Sequence, residues 1–455
     1  MNLAVVVLVA GQGAALKSRV PKVLHPIAGR PMAYFVLDAV LSLEPVRTVI
    51  VVGHGADRVR AALGEDVAYA YQQKQRGTGY AVQQTSEMLA GQAQTVLILY
   101  GDTALIRPQT LRAMVEHHER KDATVTLLTF RPENPAGYGR IVRERQAGQV
   151  RAIVSDSEAT PEQRTIGEVD SGILCVRDAW LWTNLNRLAP AADDKLHLSD
   201  LVTLAFEQNE LVTALAVADP LEVMALTQRS KLARAEAEMR RRINEQWMLE
   251  GVTIIHPETT YIEAGVEIGT DTVIWPNTYL QGQTRIGSNC IIGPSSIVRD
   301  SQIGTDCRIE LSVVEQAIME DESNVGPFGH LRKGAHLGSG VHMGNFGEVK
   351  NSYLGSGAKM GHFSYLGDAT VGAGANIGAG TVTCNYDGEH KHPTVIGEEA
   401  FIGSGSMLVA PVTIGRGAKV GAGSVVTHDV LPDSVAYGVP ARNKSEPEAE
   451  GSEGD

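Results

Sequence analysis

The stretch IEAGVEIGTDTVIWPNTYLQGQTRIGSNCIIGPSSIV, residues 262–298, decides the fold. Its aliphatic residues return at every sixth position: Ile262, Ile268, Ile274, Leu280, Ile286, Ile292 and Val298. Beyond Val298 the step slips once, resumes at Ile303 and Ile309, and runs again through Val325, Leu331, Leu337, Met343 and Val349. After two more slips it closes with Ile396, Ile402, Leu408, Ile414, Val420 and Val426. A period of six fits neither the α-helix nor the heptad. It suits short strands that each point one aliphatic inward and then turn a corner. Small residues follow many of these aliphatics, Gly269, Gly287, Gly304, Gly403 and Gly421 among them, and read as corners of positive φ. The repeat predicts a parallel β-helix of hexapeptides, stable only as a stack.

The remainder of the 455 residues is long enough for one or two further cores. A glycine count of 48 suits a solenoid's corners, and 5% aromatic content suits a coil too narrow for large rings. The formal charge of −13 argues against nucleic acid or an anionic membrane as the main partner. Cys175, Cys290, Cys307 and Cys384 have neither CxxC nor metal-site spacing, which points to bland thiols in a reducing, cytoplasmic setting. Residues 1–10 are apolar but too short and uncharged for a signal peptide, and no run approaches a membrane span.

Leu3 to Val9 is an unbroken aliphatic run, read as a buried parallel strand, and it opens into Ala10-Gly11-Gln12-Gly13 and then Pro21-Lys22-Val23-Leu24. A strand, a glycine turn and a lysine can present backbone N–H groups and one cation to phosphates. The same glycines also serve any tight turn. Further strands are read at 48–52, 96–100, 123–130 and 172–176, alternating with helical stretches. The alternation predicts a doubly wound, Rossmann-like α/β domain with a mostly parallel sheet over residues 1–229. Ligands in such sheets lie beyond the carboxyl ends of the strands, where Asp102 follows Tyr100; a turn or N-cap aspartate is the bland alternative. Residues 221–249 lack Gly and Pro and read as one helix of roughly 40 Å. Its part at 230–250 would link the α/β domain to a solenoid at 251–440. The acidic residues 441–455 read as a disordered tail.

PKVLH (21–25), QRGTG (75–79), YGDT (100–103) and GYGRI (137–141) resemble sugar-1-phosphate nucleotidyltransferases. Followed by a long helix, a hexapeptide solenoid, GHFSYLGDA (361–369) and NIGAGTVTCNYDG (376–388), they resemble one bacterial family closely over about residues 1 to 440. That family is the bifunctional N-acetylglucosamine-1-phosphate uridylyltransferase and glucosamine-1-phosphate acetyltransferase. The resemblance implies a left-handed β-helix that acetylates glucosamine-1-phosphate from acetyl-CoA. The α/β domain then couples the product to UTP with Mg2+, releasing pyrophosphate and UDP-N-acetylglucosamine, a precursor of peptidoglycan and lipopolysaccharide. It also implies a cytoplasmic homotrimer with small-molecule substrates.

For the acetyltransferase the resemblance implies His362 as the base; a group of near-neutral pKa suits removal of an amine proton. Arg332 and Lys350 match the phosphate-binding pair, Tyr365 and Asn376 the sugar contacts. Ala379, Asn385, Tyr386, Ser404 and Ala422 match residues of the acetyl-CoA channel and catalytic pocket. A solvated solenoid face is the alternative reading of the two cations. A late arginine of the family has no clear counterpart here; Arg442 stands nearest.

For the uridylyltransferase the resemblance implies UDP-sugar contacts at Leu8, Gly11, Lys22, Gln72, Gly77, Thr78, Tyr100 and Gly139, with Gln75 also kept. The metal positions fall on Asp102 and Thr227, where the family has Asp and Asn. Ala15 stands at the place of a catalytic arginine, Ser155 at that of a glutamate and Asp170 at that of an asparagine. Loss of one preorganised donor typically costs about 10²–10³ in rate, though Lys17 or Arg19 is near enough in sequence to take the cationic role. Three readings follow: a bifunctional enzyme with an altered first site, an acetyltransferase with a silenced first domain, or a scaffold built on both folds. The intact His362, Arg332, Lys350, Asn376 and Asn385 set argues against the last.

Overall fold

The computed structural model describes residues 2–144, 148–191 and 194–443. The chain forms two compact units, 1–239 and 240–455.

In the first unit, β1 (Leu3–Leu8), β2 (Arg47–Val52), β3 (Ala68–Tyr71), β4 (Thr95–Tyr100) and β5 (Val125–Phe130) are joined by β6 (Arg140–Arg143), β7 (Val150–Val154), β8 (Val169–Arg177) and β9 (Val212–Ala216). Among the described residues they make one sheet in the order β9-β5-β8-β4-β1-β2-β3, with β6 against β8 and β7 outside it. All five runs read as strands lie in it. β1 is parallel to β2 and β4, and every one of its residues is buried, as its unbroken aliphatic sequence requires of a strand covered on both faces. β8 runs antiparallel to both β4 and β5. A buried strand carries the same residues in either direction, so its sense was not readable. β8 also bulges between Asp170 and Leu174, which re-aims the residues there.

The expected helix at 221–249 is shorter. Pro220–Val223 is a 3-10 turn, and the α-helix runs from Arg229 to Leu249, about 31 Å at 1.5 Å per residue. Tertiary hydrogen bonds override helix propensity before Arg229. Asp219 accepts from the Leu221 N–H, Glu222 accepts from the Thr110 hydroxyl, and the Leu226 N–H donates to the Asp102 carbonyl.

The second unit is a three-faced solenoid. Its faces are sheets of 12, 10 and 9 strands among the described residues, parallel except for the last pair of the first. Ile262 pairs with Leu280 and Leu280 with Val298, so three hexapeptides make one coil. The inward aliphatics form a single continuous core from Val252 to Ala441. Val314 and Met319, inside the break between Ile309 and Val325, are as buried as the regular positions, so the slip changes a corner and not the core. Ile243 and Trp247 of the helix pack on this core, and the Asn244 amide donates to the carbonyls of Pro257 and Thr260.

Most glycines after the aliphatics have a different cause from the one expected, although Gly293, with φ 99, does take the positive φ. A Cβ at Gly269 would lie 2.6 Å from the carbonyl carbon of Gly287, and one at Gly344 would overlap the Gly361 carbonyl. These glycines let successive coils touch. Positive φ falls two residues later, as at Asp271, Asn289 and Asp306, whose short polar side chains tolerate it.

Ala441–Asn443 pairs antiparallel with Val435–Gly438, so the closing strand takes the first three residues of the expected tail; 444–455 lie outside the described residues. Leu366 is fully buried in the coil interior. Leu366→Ala should cost the solenoid about 2–5 kcal/mol, read from its urea unfolding transition. A loss under about 1 kcal/mol would contradict a close-packed interior.

Candidate functional site

β1 and β4 end side by side, with Leu8 opposite Tyr100. At these carboxyl ends lies a cavity of about 280 Å³. Leu8 reaches it from the end of β1, Gly11 and Lys22 from the loop that follows, Gln72, Gly77 and Thr78 from a second loop, and Tyr100 and Asp102 from the end of β4. Gly13 has φ 65, and a Cβ there would sit 2.5 Å from that of Lys22. Only glycine lets the loop pass so close to the lysine. The Lys22 ammonium is 2.5 Å from Asp102 Oδ2, and Asp102 is buried. Gln75 donates to the Ala10 carbonyl at 3.0 Å and Gln72 to that of Gly77 at 3.1 Å. Burial raises the Tyr100 phenol well above its ordinary range, assisted by Asp170 and Asp102.

Thr227 is not on the cavity wall; it follows Leu226, whose N–H donates to the Asp102 carbonyl. Asp170 N–H donates to the Gly139 carbonyl, which joins those two positions beside Tyr100. Ser155 is set apart: it is exposed, and its hydroxyl bonds Glu158 and Ser157 within its own turn. Ala15 is exposed in a short turn, and Lys17 is exposed with φ 48. The Arg19 carbonyl accepts from Arg58. Neither Lys17 nor Arg19 reaches the cavity wall, whereas Lys195 does. Nothing in the local sequence marked Lys195, because only the fold brings its loop to the cavity.

Burial pushes the Asp170 carboxyl up from the ordinary 3.8 to about 6, against a hydrogen bond from the Gly172 N–H. The folded protein therefore favours the neutral acid. That stability is intact below the ordinary value and is lost as pH rises through about 6. Asp170→Asn, neutral throughout, should raise the first unit's melting temperature by a few degrees near pH 8 and hardly at all near pH 4. An equal change at both ends, read by calorimetry, would contradict the buried carboxyl.

On the solenoid, Leu331 pairs with Val349, and Val349 with Leu366. Arg332 and Lys350 therefore occupy the same position on successive coils, and both border a cavity of about 320 Å³. The next position in that column is Gly367, where a Cβ would meet the Tyr365 hydroxyl at 2.3 Å and the Asn385 amide at 2.9 Å. Glycine here leaves room for both side chains. Arg332 donates to Glu348 at 2.7 Å. Lys391 lies within hydrogen-bonding reach of Lys350 and, with Arg332, lowers the Lys350 pKa. Reading by motif had missed Lys391; it sits in the loop between Cys384 and Thr394, bridged back to Tyr386. Asp368 accepts from Asn351 at 2.6 Å and Asn385 at 2.5 Å. Burial tends to raise its pKa, but these amides and the two lysines hold it below the ordinary range.

A second column runs along one corner. Met360, Ile377, Ile402 and Val420 are in register on successive coils, so His362, Ala379, Ser404 and Ala422, each two residues later, share that corner. The Gly405 N–H bonds the Ala379 carbonyl and the Gly423 N–H that of Ser404. His362 is exposed at the edge of the sheet that bears Tyr365, and Asn376 lies across the corner beside Lys359. Arg442 pairs with Tyr437 in the closing hairpin.

A mixed α/β sheet with a cavity bearing Lys22 and Asp102 at its strand ends, joined to a hexapeptide solenoid bearing a histidine and a cationic face, defines a two-unit sugar-phosphate transferase. The profile of the MobA-like NTP transferase domain matches residues 5–167, and that of the bacterial transferase hexapeptide (six repeats) matches 265–300 and 393–428. With the stacked three-faced coil, the latter makes the second unit a left-handed parallel β-helix. The chain is 42% identical over 413 residues to the bifunctional protein GlmU of Enterococcus faecalis, covering 90% of each. It is 44% identical over 447 residues to that of Trichlorobacter lovleyi, covering 97% of each. The chain belongs to the bifunctional GlmU family.

Proposed function

We propose that the protein acetylates glucosamine-1-phosphate from acetyl-CoA on the solenoid, 251–440, and joins N-acetylglucosamine-1-phosphate to UTP in the α/β domain, 1–229. The observation that carries the first activity is the pair of columns, His362 with Ala379, Ser404 and Ala422 at one corner, and Arg332 with Lys350 on the adjoining face. Arg332, Lys350 and Lys391 bind the sugar phosphate; the flat guanidinium offers a forked grip. Tyr365 and Asn376 orient the sugar, while Asn385 and Tyr386 line the pocket. His362 takes a proton from the amine as its nitrogen attacks the thioester carbon. The carbon–sulfur bond breaks, and coenzyme A leaves as the thiol. Asn376 and His362 stand on two sides of a corner, which supports a trimer in which a neighbouring copy closes the cleft.

In the first domain, Gln72, Gln75 and Gly11 hold the base, and Lys22 grips phosphate. The sugar phosphate oxygen attacks the α-phosphorus of UTP, and the bond to pyrophosphate breaks. The donor set fits Mg2+. Asp102 offers one carboxylate beside the Thr227 segment, and magnesium commonly takes one or two protein oxygens with substrate phosphates and water. Bound there, it would neutralise charge on the phosphates. No helix among the described residues is long and apolar enough to cross a membrane, and we place the reactions in the cytoplasm.

The test runs two assays on the purified protein: thiol release from acetyl-CoA with glucosamine-1-phosphate, and pyrophosphate release from UTP, N-acetylglucosamine-1-phosphate and magnesium. Activity in both is expected, since Lys22, Gln72, Gln75, Tyr100 and Asp102 converge on one cavity. Thiol release alone would overturn the uridylyltransferase half.

A further inference from the structure

Both substrates of the first domain are phosphates, and phosphoryl chemistry depends on cations fixed where charge collects. The first loop brings one cation to the cavity, Lys22, and its ammonium is drawn to Asp102 at 2.5 Å. The other cation on the wall is Lys195. Its place is set by backbone ties on either side of the adjoining residue. The Leu196 N–H donates to the Arg76 carbonyl at 2.9 Å, and the Leu196 carbonyl accepts from the Gly79 N–H at 2.8 Å. The Leu198 N–H bonds the Thr78 hydroxyl at 2.9 Å. A Cβ at Gly77, where φ is 92, would sit 2.4 Å from the Leu196 carbonyl oxygen. The loop is thus clamped to the segment that lines the same cavity with Gly77 and Thr78, and the lysine stem projects from a fixed origin.

We propose that Lys195 is a phosphate-contacting catalytic residue of the uridylyltransferase site, a second cation that shares the phosphate charge with Lys22. The inference rests on the uridylyl-transfer reading. A lysine ammonium is a compact charge on a flexible stem, able to serve either the triphosphate or the sugar phosphate.

Three variants test it: K195M, which keeps the stem's bulk without the charge, K195R, and wild type, each at low and high salt. K195M should lower kcat/KM for pyrophosphate release by about 10²-fold, weaken its salt dependence, and leave thiol release unchanged. K195R should recover most of the loss, which a packing role would not predict. A raised KM for UTP assigns the contact to the triphosphate, and a raised KM for the sugar phosphate assigns it there. K195M turnover within about threefold of wild type would overturn the inference. Should wild type release no pyrophosphate, the parent reading fails separately. Calorimetric titration with UTP and with N-acetylglucosamine-1-phosphate then decides: Kd values for both unchanged by K195M overturn the phosphate contact, and either one at least about tenfold weaker upholds it.

Discussion

His362→Ala lowers acetyl transfer by about 10²–10⁴-fold, the usual worth of a positioned general base. The side chain is exposed at its corner, and the coil's core is carried by Met360 and Leu366. The variant should therefore melt with the wild type and keep its pyrophosphate release. Thiol release is the direct readout. Its pH profile adds a second: the limb belonging to the base disappears in the variant, whereas a purely steric loss lowers the profile at every pH. Unchanged turnover would remove His362 from the chemistry and move attention to the histidines of the neighbouring loop, His390 and His392.

Asp102→Ala should reduce pyrophosphate release by about 10³-fold, because the carboxylate pairs with Lys22 and, in the proposed function, would hold the divalent cation. Truncation leaves the Lys22 ammonium without its closest partner in a half-buried wall. KM for UTP should therefore change together with kcat. Asp102→Asn, which keeps the shape but not the charge, separates the two effects. Recovery of rate in Asp102→Asn would show that the carboxylate positions Lys22 only, and that the cation is held elsewhere. Neither variant should touch thiol release, since the acetyltransferase residues belong to the other unit.

The two sites differ in how far they can be read from sequence. The hexapeptide step determines the solenoid almost residue by residue, because one inward aliphatic per face repeats at a fixed interval and each coil copies the last. That regularity stacks Arg332 on Lys350, three hexapeptides on, but the step slips around His362 and Ala379, and only the strand pairing aligns these with Ser404 and Ala422. The five aliphatic runs of the first domain were likewise legible as strands, since burial on both faces leaves no polar alternation.

Contacts between distant segments decided the rest. The antiparallel sense of β8 and its bulge at Asp170 depend on which neighbours it pairs with, not on its own composition. The helix begins at Arg229 because Asp219, Glu222 and Leu226 find tertiary partners that outweigh local propensity. The glycines after each aliphatic answer to the coil stacked against them, while Asp271 and Asn289 turn the corners. Lys391 and Lys195 each lie in a loop with no repeat to mark it. A charge acts over a few ångströms in space, and sequence separation says little about that distance. Local periodicity therefore determined the solenoid and the buried strands of the α/β sheet, and the family resemblance named most of the candidate acetyltransferase residues, while the tertiary structure alone brought Lys195 to the first cavity and Lys391 beside Lys350.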